Sequence, residues 1–387
     1  MSIENRIGPP VEGEDFFGRK KELERANQYL NSGHSLLLSA PRRIGKSSLA
    51  KRLIADKKEE GWKCVYVDLE QTVTEEGFLS SIIESFERNQ VWRQIAEGVV
   101  QGVTTLLERV HNISIGPIGI DLSTPEKNED LYKTLRDLIR HNEDTLIVVD
   151  ELTLFLGTLL RSQDGREKVS YILNWFRSLR QVSGTKVRWL FCGSVGLKNF
   201  TASLDLSYTV NDLLDFHLDE LNQEEARGLL RSLSQGAFIE MSEEMVSYAL
   251  DKLQWNIPYF IQLLFSKLRE SCPGPVSRND IDQAYGELCS ESSLNTWSER
   301  LVEYREMERP ARLILNSLSA RKAGLKRDTM LNILMTGRDP LQVEETNMVL
   351  SKVLEMLEND GYLLRKGPVR SFRSPLLRDY WYGKFVQ

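Results

Sequence analysis

The run Ala40-Pro41-Arg42-Arg43-Ile44-Gly45-Lys46-Ser47-Ser48 closes on a glycine, a lysine and two hydroxyl side chains, an order that suits a polyphosphate. A loop of this kind wraps successive backbone N–H groups around phosphate oxygens and aims a helix N-terminus at them. Gly45 lets the backbone approach closely. Lys46 has the reach and charge for the outer phosphates, and Ser47 offers a hydroxyl to a magnesium ion. Ala40 stands where glycine is usual, which costs the loop some backbone freedom, but Pro41 fixes an extended start. The chemistry expected is the binding of ATP with Mg²⁺.

Two further runs fit that chemistry. Leu146-Ile147-Val148-Val149-Asp150-Glu151 reads as a buried strand ending in two carboxylates. Beside a phosphate loop, Asp150 would orient Mg²⁺ through water and Glu151 would polarise the attacking water. The largely apolar run Val187–Gly193 leads to Ser194, a polar residue placed to sense the γ-phosphate or the attacking water. The catalytic set expected is therefore Lys46, Asp150, Glu151 and Ser194, with Ser47 and Asp150 as the metal pair.

These groups need a scaffold that carries them to one edge. Apolar runs at Ser35–Ala40, Lys63–Leu69, Leu146–Asp150, Val187–Gly193 and Leu213–Leu218 are mostly continuous rather than alternating, as in parallel strands buried on both faces. Helical patterns at Lys46–Lys57, Phe78–Arg88 and Glu167–Val182 lie between them, so an α/β three-layer sandwich with a mostly parallel sheet is expected. The 387 residues leave room for further domains. A net charge of -6 argues against a protein that coats nucleic acid by bulk electrostatics. None of the four cysteines forms a CxxC pair, which speaks against zinc or dithiol chemistry and fits a reduced, cytoplasmic setting. Residues 1–10 have no signal-peptide pattern, and the apolar stretch Leu146–Leu160 is broken by Asp150 and Glu151, so no membrane segment is expected.

Residues 92–124 interrupt the β–α rhythm and include an alternating Gly/Ile stretch, read as an inserted arm. Beyond Leu221 the strands stop. Asn222-Gln223-Glu224-Glu225 and Ser277-Arg278-Asn279-Asp280 resemble capping boxes of a small helical module, and Ser290–Glu299 reads as a polar linker. Helical patterns at Pro310–Leu318, Leu325–Leu334 and Asn347–Glu358 precede a hairpin, the outline of a winged helix. Its wing region carries Arg365, Lys366, Arg370 and Arg373, suited to phosphate backbones, but the helix Asn347–Glu358 turns Glu355 and Glu358 outward.

Together, Phe17-Gly18-Arg19-Lys20, the loop Pro41–Ser48, the Asp150-Glu151 strand, Cys192-Gly193-Ser194, Asn256-Ile257-Pro258-Tyr259 and Phe372-Arg373-Ser374-Pro375 resemble archaeal-type P-loop ATPases of the AAA+/STAND group over nearly the whole chain. That resemblance implies an ATPase core at 1–219, a helical lid at 220–292 and a winged-helix domain at 300–387. It places Phe17, Gly18 and Arg19 beside adenine and Pro258 where the lid meets the nucleotide. No arginine occurs between Trp189 and Ala226, where AAA+ motors carry a finger, nor in the two turns after Pro258. These departures favour a switch ATPase that relays its nucleotide state to a protein partner or effector, host defence being one setting, with association of copies following the nucleotide. The alternative is a DNA-associated ATPase resembling replication initiators or transposition regulators.

Two substitutions test the loop and the carboxylate pair. Lys46→Ala is expected to abolish tight ATP binding in a folded protein, measured by titration calorimetry and circular dichroism. Unchanged affinity sinks the phosphate-loop reading. Glu151→Gln is expected to keep ATP bound while turnover falls by ~100-fold or more. Turnover near the wild-type rate in a phosphate-release assay places the base elsewhere.

Overall fold

The computed structural model describes residues 3–89, 131–133, 135–137, 139, 143–193, 196–271, 274–337 and 339–387. The expected arm at 92–124 and Ser194 lie outside them. The chain forms two compact units: one joins Lys20–Ala40 to Lys46–Leu218, and the other gathers Met1–Arg19, Pro41–Gly45 and Asp219–Gln387.

The first unit is the α/β sandwich. Helix α1 (Lys20–Asn31) precedes strand β1 (Leu36–Ser39), and α2 (Lys46–Glu59) leads to β2 (Lys63–Asp68) and α3 (Glu75–Arg88). Then come β3 (Thr145–Asp150), α4 (Leu152–Leu159), α5 (Gly165–Arg180), β4 (Val187–Gly193), the short α6 (Leu197–Ala202) and β5 (Leu214–His217). The sheet order is β2-β3-β4-β1-β5 and every pairing is parallel. All six residues of β3 are buried, as the unbroken apolar run requires of a strand covered on both faces.

Register brings the chemistry to one end. Asp68 lies opposite Asp150, and Ser39 lies opposite Gly193. The carboxyl ends of the strands therefore share an edge, where open α/β sheets take their ligands. One layer beneath is aromatic. Phe78 stacks on Phe155 with centroids 5.2 Å apart, while Phe176 meets Trp189 and Phe191 edge-on at 5.3 and 5.1 Å.

The second unit begins with helices α7 (Gln223–Gly236), α8 (Glu243–Leu253), α9 (Pro258–Ser271) and α10 (Arg278–Ser290). Both expected capping boxes are present: Asn222 pairs with Glu225 at α7, and Ser277 with Asp280 at α10. The stretch expected as a polar linker is instead packed. It contains α11 (Asn295–Glu299), and Leu294 and Trp297 are buried. Trp297 lies within ring contact of Trp255, Phe260 and Tyr362, so two apolar side chains in a polar run anchor it.

The last part holds α12 (Glu308–Ser319), β6 (Leu325–Lys326), α13 (Arg327–Met335), α14 (Val343–Asn359), β7 (Leu363–Lys366), β8 (Val369–Phe372) and α15 (Pro375–Phe385). Leu325 and Lys326, expected to open a helix, pair with β8 as the edge of an antiparallel sheet ordered β6-β8-β7. Helix α14 starts at Val343, earlier than expected. Among the described residues, no helix is long and apolar enough to cross a membrane.

Candidate functional site

At the start of α2 the lysine and hydroxyl take up defined partners. Lys46 is 6% exposed, and its Nζ donates to the Ala40 carbonyl at 2.9 Å. Ser47 Oγ donates to Asp150 Oδ2 at 2.7 Å. The same oxygen accepts Tyr66 Oη at 2.5 Å, and Asp150 Oδ1 accepts the Glu151 backbone N–H at 3.0 Å. Asp150 itself is 3% exposed. A buried carboxylate needs such donors, because an uncompensated charge in a low-dielectric interior is costly.

Glu151 has a left-handed backbone, with φ at 53°, and caps the N-terminus of α4 without a side-chain bond to it. Left-handed non-glycine residues cluster where function holds the backbone in place. Tyr66 was not apparent from the sequence as a site residue. It sits mid-strand on β2, and only the β2–β3 register shows that its face is that of Asp150.

Oxygen donors of this type fit a magnesium ion. Ser47 supplies a hydroxyl and Asp150 a carboxylate, and a hard cation that retains water needs few protein ligands. Among the described residues no group of three or more His, Cys, Asp or Glu side chains could hold a metal by itself. The phosphates and water would complete such a shell.

The loop residues 41–45 make their contacts within the second unit. Arg43, with φ at 64°, lies over the Tyr259 ring at 4.6 Å and donates to the Gly8 carbonyl at 3.1 Å. Ile44 is fully buried, and its carbonyl accepts Arg19 Nη2 at 3.0 Å. Gly45 has φ at 102°, a conformation that justifies glycine there. Pro41 lies so near Gly361 that a Cβ on that glycine would fall 2.8 Å from the proline Cβ and 2.7 Å from Trp255 Cη2. Arg42 and Ser48 flank these contacts, half-buried and buried respectively.

The Phe17-Gly18-Arg19 motif is pinned to α7. Phe17 packs on Gly228, where an added Cβ would lie 2.7 Å from the ring. The Arg19 backbone N–H donates to Glu225 Oε1 at 2.8 Å, and Gly18 runs past the same carboxylate. Glu225 is the residue that closes the capping box, so one side chain caps a helix and holds this motif. Arg19 is 3% exposed, and its Nη1 donates to the Asp219 carbonyl at 2.5 Å. Its guanidinium thus ties Asp219 to the loop at Ile44. Pro258 opens α9, where its missing N–H removes no helical bond. Beside it Asn256 Oδ1 and Trp255 Nε1 are buried, neither with a hydrogen-bond partner.

The basic cluster of the small sheet is only partly outward. Arg365 and Lys366 are exposed. Arg370 is buried, with Nε 2.7 Å from Glu358 Oε1, so Glu358, expected to face outward, is paired inward instead. Arg373 lies over the Trp255 ring at 5.4 Å. Both departures arise because a carboxylate on α14 and an indole distant in sequence meet these arginines. Lys326, Arg327, Arg365 and Arg370 line a cavity of about 430 Å³ beside Asp328 and Pro368.

Residues 30–200 match the AAA domain family. The Walker-type ATPase of Pyrococcus abyssi shares the fold at 16% identity, over 97% of this chain and 99% of its own, with a TM-score of 0.63. The ORC2 protein of Aeropyrum pernix, solved in ADPNP–ADP complexes, is similar at 16% identity, over 99% and 98%, with a TM-score of 0.52. None of the curated proteins matches the chain.

The Arg19 brace yields a prediction. Arg19→Ala removes charge-assisted bonds to the carbonyls of buried Ile44 and of Asp219 and is expected to cost about 2–4 kcal/mol in urea denaturation. A loss below about 0.5 kcal/mol would show that the guanidinium is not a brace. Residues 30–200 thus match the AAA domain family, and the fold of the chain is the one seen in the Walker-type ATPase of Pyrococcus abyssi.

Proposed function

We propose that the chain is an ATP-binding and ATP-hydrolysing switch of the STAND type, with an ATPase core at 1–219, a helical lid at 220–292 and a winged-helix domain at 300–387. ATP lies along residues 41–48, with Lys46 on the outer phosphates and Mg²⁺ held by Ser47 and, through water, Asp150. Bound magnesium would neutralise charge developing on the phosphates. Glu151 polarises the attacking water, and Ser194 stands near the γ-phosphate. Phe17, Gly18 and Pro258 border the adenine, and Arg19 steadies that border.

One observation carries the switch reading: Pro41 rests on Gly361 and Trp255 while Arg43 lies over Tyr259. The loop that would clasp phosphate thus packs against lid and winged-helix residues. Gly361 has φ at 84° and is held on both sides, because Asp360 accepts Tyr304 Oη at 2.8 Å and Tyr362 Oη donates to the Trp297 carbonyl at 2.5 Å. A loop rearranged by phosphate presses on a glycine that cannot yield freely. The winged helix then presents a changed surface to a protein partner.

The second reading, a DNA-associated ATPase, draws support from the basic cavity at Lys326, Arg327, Arg365 and Arg370. The pairing of Arg370 with Glu358 weighs against it. ATPase rate and nucleotide exchange measured with and without duplex DNA separate the two. Acceleration by DNA that vanishes with salt favours the second.

Gly361→Ala tests the coupling. A methyl group at a left-handed position facing Pro41 and Trp255 is expected to loosen the loop and speed release of a fluorescent ADP analogue by roughly 5-fold, about 1 kcal/mol of lost closure. A folded variant with the wild-type release rate would separate the loop from the winged helix and overturn the switch.

A further inference from the structure

Tyr66 is a residue for which the reaction chemistry so far has no role. It lies on β2 opposite Val148, and Asp68 lies opposite Asp150. Side chains two apart on a strand share a face. Tyr66, Asp68, Val148 and Asp150 therefore project to one side of the sheet, and the phenol spans one residue pair along it to reach Asp150 Oδ2 at 2.5 Å. Helix α2 covers that face. Ser47 and Lys51, one turn apart, look down on it: Ser47 Oγ bonds the same carboxylate oxygen, and Lys51 Nζ lies 5.7 Å from the centre of the Tyr66 ring.

The two donors on Asp150 Oδ2 differ in kind. Ser47 sits at the first turn of α2, behind the phosphate loop, and a magnesium ion would claim its oxygen. Tyr66 is anchored in the sheet and has no such competing task. Phenylalanine would fill the same space against α2, yet the chain places a hydroxyl there, on the carboxylate expected to orient the metal's water.

We propose that Tyr66 is a positioning residue of the metal site: its phenol holds the Asp150 carboxylate in place when Ser47 turns from that carboxylate to the metal. The proposal rests on the reading of Ser47 and Asp150 as the metal pair. Without the phenol, Asp150 Oδ2 would lose a fixed donor as the ion arrives, leaving the Glu151 N–H on Oδ1 to hold the carboxylate. Outer-shell partners of metal ligands carry effects of this sort.

Tyr66→Phe in the full-length chain tests it, with Mn²⁺ binding in the presence of ATP read by electron paramagnetic resonance and ATP binding in EDTA read by fluorescence. The expected result is a rise of about 10-fold in the Mn²⁺ half-saturation, with ATP affinity in EDTA unchanged. In an Asp150→Asn background the same substitution is expected to add little, because the two residues act as one unit. As a measurement that preserves the hydroxyl, 3-fluorotyrosine at position 66 is expected to shift its ¹⁹F resonance on Mg²⁺ addition to the ATP complex. A wild-type Mn²⁺ curve in Tyr66→Phe, or a fluorine resonance indifferent to Mg²⁺, overturns the proposal while leaving the phosphate loop intact. Equal loss of ATP binding with and without metal assigns Tyr66 to packing and overturns it as well. Failure of the wild-type protein to bind ATP under either condition defeats the underlying nucleotide reading instead.

Discussion

A carboxylate 3% exposed, at the end of a strand buried along its whole length, is the constraint on which the ATPase unit depends. β3 can carry Asp150 to the edge of the sheet only because it is apolar on both faces, and its end is then dry. A charge in such a place must be matched by donors from neighbouring elements. Three arrive: the Ser47 hydroxyl from α2, the Tyr66 phenol from β2 and the Glu151 N–H from the turn after β3. Each fixes an element relative to Asp150. Glu151 itself takes a left-handed backbone and starts α4 with its side chain not used as a cap. The residue read as the general base is held by the bond from its own N–H to Asp150.

A second constraint governs the loop. If residues 41–45 present N–H groups to a phosphate, as read from the sequence, they cannot all satisfy one another, and the loop needs outside support. Arg19 supplies it at Ile44, and Tyr259 supplies it at Arg43. Arg19 is itself held through Glu225, whose other oxygen closes a helix cap. A single carboxylate thus links the cap of α7, the Phe17-Gly18-Arg19 turn and, through the guanidinium, the loop.

The strands, their order of appearance and the loop were legible in the sequence because unbroken apolar runs and the Gly-Lys-Ser ending have few other readings. Val187–Gly193 was read to the residue, and both capping boxes declared themselves through Asn222 and Glu225, and through Ser277 and Asp280. What stayed hidden depended on register or on partners distant in sequence. Tyr66 is an ordinary strand tyrosine until β2 is set beside β3. Trp297 looked like one aromatic in a polar linker until Trp255 and Tyr362 met it from either side. The two-residue strand β6 is too short to leave a period of its own, so its pairing with β8 belongs to the sheet rather than the segment. Arg19 read as part of a border to adenine; that its guanidinium is committed to two carbonyls is a tertiary fact.

The same logic of commitment bears on the small C-terminal sheet. Counting arginines and lysines along 365–373 gives four cations for a phosphate backbone, but a cation already matched by its own chain is a poor ligand for phosphate. Arg370 is paired with Glu358 and buried, and Arg373 lies over Trp255. Arg327, beside them, gives its Nη2 to Asn347 and Ser351. Arg365, Lys366 and Lys326 remain exposed on this face. Three phosphate contacts would give a salt dependence of about -2.7 on a logarithmic plot, the range of weak, sequence-indifferent association. On a chain of net charge -6, that is too little to hold DNA without help from bases or from other copies. The arginines that the sequence offered to DNA instead hold α14 and the region around Trp255 together, on the same Trp255 against which the phosphate loop rests. Charge at this sheet is therefore largely committed to partners within the chain.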